Sequence, residues 1–269
     1  ICTIESNQKG SGSKKVLLDS NDKHRKTLTI KCIIKMFQKL AKKPVRNYNT
    51  LTHLDFKSQK DQFCPVQPSR ILICGGSGKG KTNLLLSLLF ECLQFTRIYL
   101  NVKDPTESKY KLLQSVLDGV QAKTREDVYW INTSSEGIVS VDDLDSKHTN
   151  IIIFDDFVTD KLAHSKISDL FIRGRKKNAT IIYLSQSYFH TPKLIRLQCC
   201  YKMFFKCFDR REVLNIYQNE GMGLSQQTFI DLFNEATKEP YSFLMLDNVT
   251  DNEVLKIRKN LDSAFISPH

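Results

Sequence analysis

From Arg70 onward, short, mostly apolar runs, Ile71 to Cys74 and Ile151 to Phe154 among them apolar throughout, alternate with longer segments whose apolar residues recur at helical spacing. Ile71-Leu72-Ile73-Cys74, Arg97 to Val102, Val128 to Ile131, Ile151 to Phe154, Thr180 to Leu184, Tyr201 to Phe205 and Tyr241 to Leu246 read as strands, the last of them closing the series. A run that is apolar at every position suits a strand buried on both faces. Between them Thr82 to Leu93, Ser108 to Leu117, Lys161 to Arg173, Arg211 to Tyr217 and Gln226 to Ala236 read as helices. Strands alternating with helices predict an α/β fold, a mostly parallel central sheet flanked by helices on both faces.

The first 65 residues read differently. Residues 1–26 are polar, with a flexible Gly10-Ser11-Gly12-Ser13 patch. Thr27 to Leu40 carries apolar residues at Leu28, Ile30, Ile33, Ile34, Phe37 and Leu40, a spacing that predicts one amphipathic helix with a lysine-rich outer face. Pro44 ends it, and a polar linker runs on to Pro65. The expected organisation is a partly disordered N-terminal segment over 1–65 and an α/β domain over 66–269.

Charge sharpens that division. The chain carries +11, but residues 1–65 hold 14 Lys+Arg against 5 Asp+Glu, whereas residues 66–269 hold 26 against 24. A basic arm beside a nearly neutral domain points to an acidic partner, nucleic acid above all, or else to a solvated tail. The eight cysteines form no C-x-x-C pair, so metal and redox chemistry are weak readings and small buried thiols the expected one. The longest apolar stretch, Leu84 to Leu93, is too short for a membrane span and contains Glu91. No secretory leader is visible. The chain opens on Ile1 rather than Met, the expected mark of a fragment, a processed product or an incomplete gene model.

The chemistry begins after the first apolar strand. Gly75-Gly76-Ser77-Gly78-Lys79-Gly80-Lys81-Thr82 fits the phosphate-loop pattern G-x-x-x-x-G-K-[ST]. Glycines let the backbone curl until successive N–H groups converge on phosphate oxygens, and the following helix aims its N-terminal dipole at the same anion. Lys81 is expected to reach the β- and γ-phosphates and the Thr82 hydroxyl to ligate Mg²⁺. The second acidic element of such a site belongs at the end of a neighbouring strand. Asp155 ends Ile151 to Phe154 and is expected to hold Mg²⁺; Asp156 follows and is expected to polarise the attacking water. Gln186, at the end of the next strand, is expected to face the γ-phosphate.

Two decoys fall away. Asn101-Val102-Lys103-Asp104 misplaces the lysine of a guanine-reading motif, and Leu224-Ser225-Gln226-Gln227 lacks the glycines of the transporter-ATPase signature. ATP is therefore preferred over GTP by elimination. The basic run Arg173-Gly174-Arg175-Lys176-Lys177 has three readings from spacing alone: cations suited to a helix end, contacts to DNA phosphates, or an arginine that reaches a neighbouring subunit's nucleotide.

Ile71 to Leu89, Ile151 to Phe157 and Arg173 to Arg196 together resemble the viral genome-packaging ATPases of the FtsK–HerA superfamily, with the poxvirus packaging ATPase as type case and relatives in other large DNA viruses, virophages and Polinton (Maverick) elements. The resemblance spans roughly residues 69–206. It implies a P-loop ATPase that forms a pentameric or hexameric ring. That ring would move double-stranded DNA into a preformed capsid, with capsid or portal-vertex proteins as partners, inside the host cell in a viral factory or the nucleus and in association with the virion. It also favours the trans-acting arginine, Arg175 first and Arg173 second. The chain departs from the pattern at Asp156, where cellular members usually carry Glu. A plasmid or cellular translocase, a helicase, and a nucleotide- or DNA-binding remnant without turnover remain alternatives.

Overall fold

The computed structural model describes residues 37–40, 62–156 and 161–266. Ten strands form one sheet: β1 (Phe37–Lys39), β2 (Arg70–Cys74), β3 (Arg97–Val102), β4 (Tyr129–Asn132), β5 (Asn150–Asp155), β6 (Ala179–Ser185), β7 (Tyr201–Phe205), β8 (Phe243–Asp247), β9 (Ile257–Lys259) and β10 (Ser263–Phe265). The helices are α1 (Lys81–Ser87), α2 (Ser108–Thr124), α3 (Lys161–Arg173), α4 (Lys193–Gln198), α5 (Arg210–Glu220) and α6 (Gln226–Ala236). A π-helical turn, Leu88–Cys92, continues α1.

Spatial order across the sheet is β1-β10-β9-β8-β7-β2-β6-β5-β3-β4. The six strands from β7 to β4 are parallel, and β8, β9, β10 and β1 add antiparallel on the far side of β7. The expected mostly parallel α/β sheet is present. Its central strands show why apolar runs signal burial on both faces. Ile71, Ile73, Ile151, Ile153, Ile182 and Leu184 pack into one core with α1 and α2. The alternate residues Leu72, Ile152, Phe154, Ile181 and Tyr183 pack into a second core with α3 to α6. The period of two along each strand distributes one sequence between two cores.

The topology also places a site. β2 lies between β6 and β7, and β6 separates β2 from β5. Connections therefore diverge from β2, and the crevice outside its carboxyl end is where an open α/β sheet accepts ligands.

Three expectations are corrected. Phe37–Lys39, read as the end of an amphipathic helix, is a strand that pairs antiparallel with Ser263–Phe265. Three residues, Phe37-Gln38-Lys39, are too few to separate a strand from a helix by period, and the edge of β10 supplies the backbone partners that decide the matter; residues 27–36 of that reading lie outside the described residues. For the same reason the N-terminal segment does not stop cleanly at residue 65. Residues 37–39 belong to the sheet, Cys64 sits in the core, and the Phe63 carbonyl accepts a 2.9 Å bond from the buried Arg258. Finally, Tyr241 to Leu246 is not the last strand. It begins at Phe243, because Tyr241 occupies the left-handed region at φ 63°, and β9 and β10 follow.

Candidate active site

The phosphate loop leaves β2 under close control. The Gly75 N–H donates to the Ser185 carbonyl at 3.0 Å, which joins the loop to the end of β6. A Cβ on Gly75 would stand 2.7 Å from Phe205 Cβ, so no other residue fits there. Gly80, at φ 109°, turns the chain into α1 through a conformation that favours glycine. Lys81 begins α1, and its Nζ is drawn back into the loop, donating to Gly75 O at 2.7 Å and Gly76 O at 3.2 Å. Burial lowers the Lys81 pKa, and the carboxylates of Asp155 and Asp156 oppose that shift. Ser77 and Gly78 are exposed and line the same cleft. Lys79 points elsewhere, its ammonium 4.8 Å above the Phe208 ring.

Asp155 ends β5, two strands from the loop. Its Oδ2 accepts a hydrogen bond from the Tyr110 phenol, which also lies beside the Thr82 side chain. One buried phenol thus holds the carboxylate expected to bind Mg²⁺ and lies next to the hydroxyl expected to share it. Burial raises the Asp155 pKa; the Tyr110 bond and the nearby Lys81 ammonium pull it back down. Burial, first, and the Asp155 charge raise the Tyr110 pKa, so it remains a donor. The donor set fits Mg²⁺. One hydroxyl and one carboxylate are hard oxygens, and magnesium is commonly held by one or two carboxylates plus substrate phosphates rather than by an all-protein cage. Among the described residues no cluster of three or more His, Cys, Asp or Glu could act as such a cage.

Asp156 turns the chain out of β5 at φ 60°, a conformation that Asp tolerates better than most residues. Its Oδ2 accepts a 3.3 Å bond from Gln186 Nε2 at the end of β6. Lys81, Thr82, Asp155, Asp156 and Gln186 all line one cleft of about 960 Å³.

The basic run stands elsewhere. Gly174–Lys177 forms a 3₁₀ turn before β6, at the opposite end of that strand from Gln186. Arg173 is engaged within the chain, with Asp169 at 2.9 Å and a short contact to Asp142. The exposed Arg175 guanidinium has no partner among the described residues. Neither arginine reaches this chain's own cleft.

Tyr110 was missed from sequence because Tyr110, Leu113 and Leu117 form an ordinary apolar helix stripe. Its signal is that a buried phenol must find a polar partner. Tyr241, also a cleft residue, was hidden inside a presumed strand. The preceding Pro240 marks the turn in which it sits.

A glycine loop at the carboxyl end of a central strand, with an acidic strand one position beyond its neighbour, defines the fold as that of a P-loop NTPase. The chain belongs to the poxvirus A32 protein family, whose sequence profile matches residues 56–264. The DNA packaging protein OPG160 of variola virus is 32% identical over 135 residues, 48% of this chain and 50% of that protein, and the vaccinia virus protein matches to the same extent. The chain thus spans about half the length of the curated relatives it matches. Among solved structures, it is similar to B204, the DNA-packaging ATPase from Sulfolobus turreted icosahedral virus, at 14% identity and TM-score 0.48, covering 75% of this chain and 98% of that one. It is also similar to the genome packaging NTPase B204 of Sulfolobus turreted icosahedral virus 2 in complex with ATP-gammaS, at 12% identity and TM-score 0.43, covering 71% and 96%. No described helix is long and apolar enough to cross a membrane.

Proposed function

We propose that this chain hydrolyses ATP with Mg²⁺ and uses the energy to drive double-stranded DNA into a capsid. The observation that carries the reading is the meeting of Lys81, Asp155 and the Gln186–Asp156 pair in one cleft. Membership of a family whose relatives are named DNA packaging proteins supports the direction of that work.

The loop amides from Gly75 to Thr82 cradle the phosphates, and Lys81 exchanges its bonds to the Gly75 and Gly76 carbonyls for β- and γ-phosphate oxygens. Thr82 and Asp155 would hold Mg²⁺, which when bound neutralises charge on the transferring phosphate. Tyr110 keeps the Asp155 carboxylate in place. Asp156 takes a proton from the attacking water, and Gln186 fixes the carboxylate's orientation and senses the γ-phosphate.

Arg175, remote from its own cleft, supplies the transition-state cation to a neighbouring copy, which requires a homo-oligomeric ring of five or six subunits. The basic residues of 1–65 contact DNA or a capsid or portal-vertex protein. The site of action is inside the host cell, in a viral factory or the nucleus, and in association with the virion.

Phosphate release by the full chain with Mg·ATP, measured with duplex and with single-stranded DNA, tests this reading. A translocase is stimulated more by duplex. Equal or stronger stimulation by single strands would indicate a helicase, and undetectable release with duplex present would indicate a binding remnant.

A further inference from the structure

The cleft extends well past the phosphate loop. Its far side is built from the antiparallel strands, with Tyr241, Lys259 and Asn260 on its wall. Glu239-Pro240-Tyr241-Ser242 is a tight turn, closed by a 3.2 Å bond from Ser242 N to Glu239 O. Proline at its second position and φ 63° at its third make it a type II turn, whose third position is ordinarily glycine or asparagine. Here that position carries a tyrosine that is 67% exposed. A bulky side chain in this conformation is strained, and such strain persists where the surroundings hold it for use. The turn is held. Ser242 Oγ donates to Glu239 O at 2.7 Å, and Lys259 pairs with Glu239 at 3.2 Å. The ring flanks the loop itself, since a Cβ on Gly80 would stand 3.3 Å from Tyr241 Cδ1.

Asn260 completes the wall. At φ 56° it too is left-handed, and it clasps β8 through its own N–H to Phe243 O, 2.9 Å, and through Oδ1, which accepts from Phe243 N at 3.1 Å. With Oδ1 committed to the strand, Nδ2 is the polar atom left to serve the cleft.

We propose that this wall is the nucleobase subsite: the base stacks on the exposed face of Tyr241, and Asn260 Nδ2 donates to a ring nitrogen or carbonyl on its edge. The assignment rests on the reading of Gly75 to Thr82 as a nucleoside triphosphate site. It makes the C-terminal antiparallel strands, which carry no part of the phosphate chemistry, the part that recognises the base.

Calorimetric titration of the full chain with ATP and, separately, with inorganic tripolyphosphate tests it. Tyr241→Gly is the variant of choice, because glycine suits the turn and leaves the fold intact. The expected result is a loss of ATP affinity of about tenfold or more, the scale of a base–aromatic stack, with tripolyphosphate affinity unchanged. Tyr241→Phe keeps wild-type affinity for both. Asn260→Asp keeps the acceptor for Phe243 N but replaces the donor, and weakens ATP alone. Unchanged ATP affinity in Tyr241→Gly overturns the proposal. So does a wild-type chain that binds ATP no more tightly than tripolyphosphate, although the phosphate loop then stands. A wild-type chain that binds neither overturns the loop reading and the base subsite together.

Discussion

Gln186 Nε2 donates to Asp156 Oδ2 across 3.3 Å, and so ties the ends of two adjacent parallel strands together at the mouth of the cleft. Asp156 projects from a left-handed turn, so its carboxylate depends on that amide for direction. Asp156→Asn should fold and bind nucleotide as the wild type does, since Asn also tolerates this conformation. Its turnover should fall by about 10²- to 10⁴-fold, the usual contribution of a positioned proton acceptor. Gln186→Ala should lose turnover less severely and leave nucleotide affinity intact. Single-turnover phosphate release set against equilibrium nucleotide binding checks both. Normal turnover in Asp156→Asn would return water activation to another group.

Tyr110 gives a separate handle on the metal. Tyr110→Phe keeps the ring in the core but removes the hydrogen bond to Asp155. The Mg²⁺ concentration for half-maximal turnover should rise by about tenfold or more, as is typical when a group that orients a metal ligand is lost. A pH effect accompanies it. Donation by Tyr110 lowers the Asp155 pKa against the opposing effect of burial. Without it the carboxyl holds its proton to higher pH, so the acidic limb of the pH–rate profile should move upward. A profile and Mg²⁺ requirement matching the wild type would reduce Tyr110 to packing.

Arg175 and Arg173 should separate cleanly. Arg173 is occupied by Asp142 and Asp169, whereas Arg175 is exposed with no partner among the described residues. Arg175→Ala should abolish turnover in the assembled protein and leave nucleotide affinity unchanged. Arg173→Ala should keep turnover. Mixing Arg175→Ala with Lys81→Ala subunits should restore part of the activity, because intact sites then form between the two. If Arg175→Ala instead weakens DNA binding with normal basal hydrolysis, the arginine contacts DNA phosphate.

Behind Gln186, a buried polar network sets the position of the following loop. Lys202 Nζ lies 2.6 Å from Glu220 Oε2, and the Tyr188 phenol donates to Glu220 Oε1 at 2.8 Å, with both charged side chains under 10% exposed. Glu220→Gln strands a buried ammonium and should cost about 3–5 kcal/mol of stability, read as a large fall in thermal midpoint. Replacing Lys202 and Glu220 together by Met and Leu should recover most of it. A single variant as stable as the wild type would mean that water reaches the pair.

The sheet and the glycine loop were legible in the sequence where one physical rule acted alone. Ile71 to Cys74 and Ile151 to Phe154 are apolar throughout because both faces are buried, and in the loop Gly78 and Gly80 take positive φ while Gly75 abuts Phe205. The C-terminal strands were not legible. β9 is Ile257-Arg258-Lys259, and its middle residue is fully buried with Asp247, Phe63 and Leu261 accepting hydrogen bonds from its two terminal nitrogens. A three-residue strand with a buried arginine has no hydrophobic pattern to read. β1 was hidden for another reason, since its partner β10 lies more than 200 residues away and only that edge selects strand over helix. Lys81, Thr82, Asp155, Asp156 and Gln186 sit at motif positions, and all of them line the cleft. Tyr110 and Tyr241 belong to no motif, and their roles follow from where the fold brings them.

The central claim is that this cleft turns over ATP. Phosphate release from Mg·ATP by the full chain with duplex DNA, run beside Lys81→Ala at equal concentration, tests it most directly. Steady turnover by the wild type and none above background by Lys81→Ala is the predicted result. Equal turnover by the two proteins would place hydrolysis outside this site, and no turnover by either would contradict the claim.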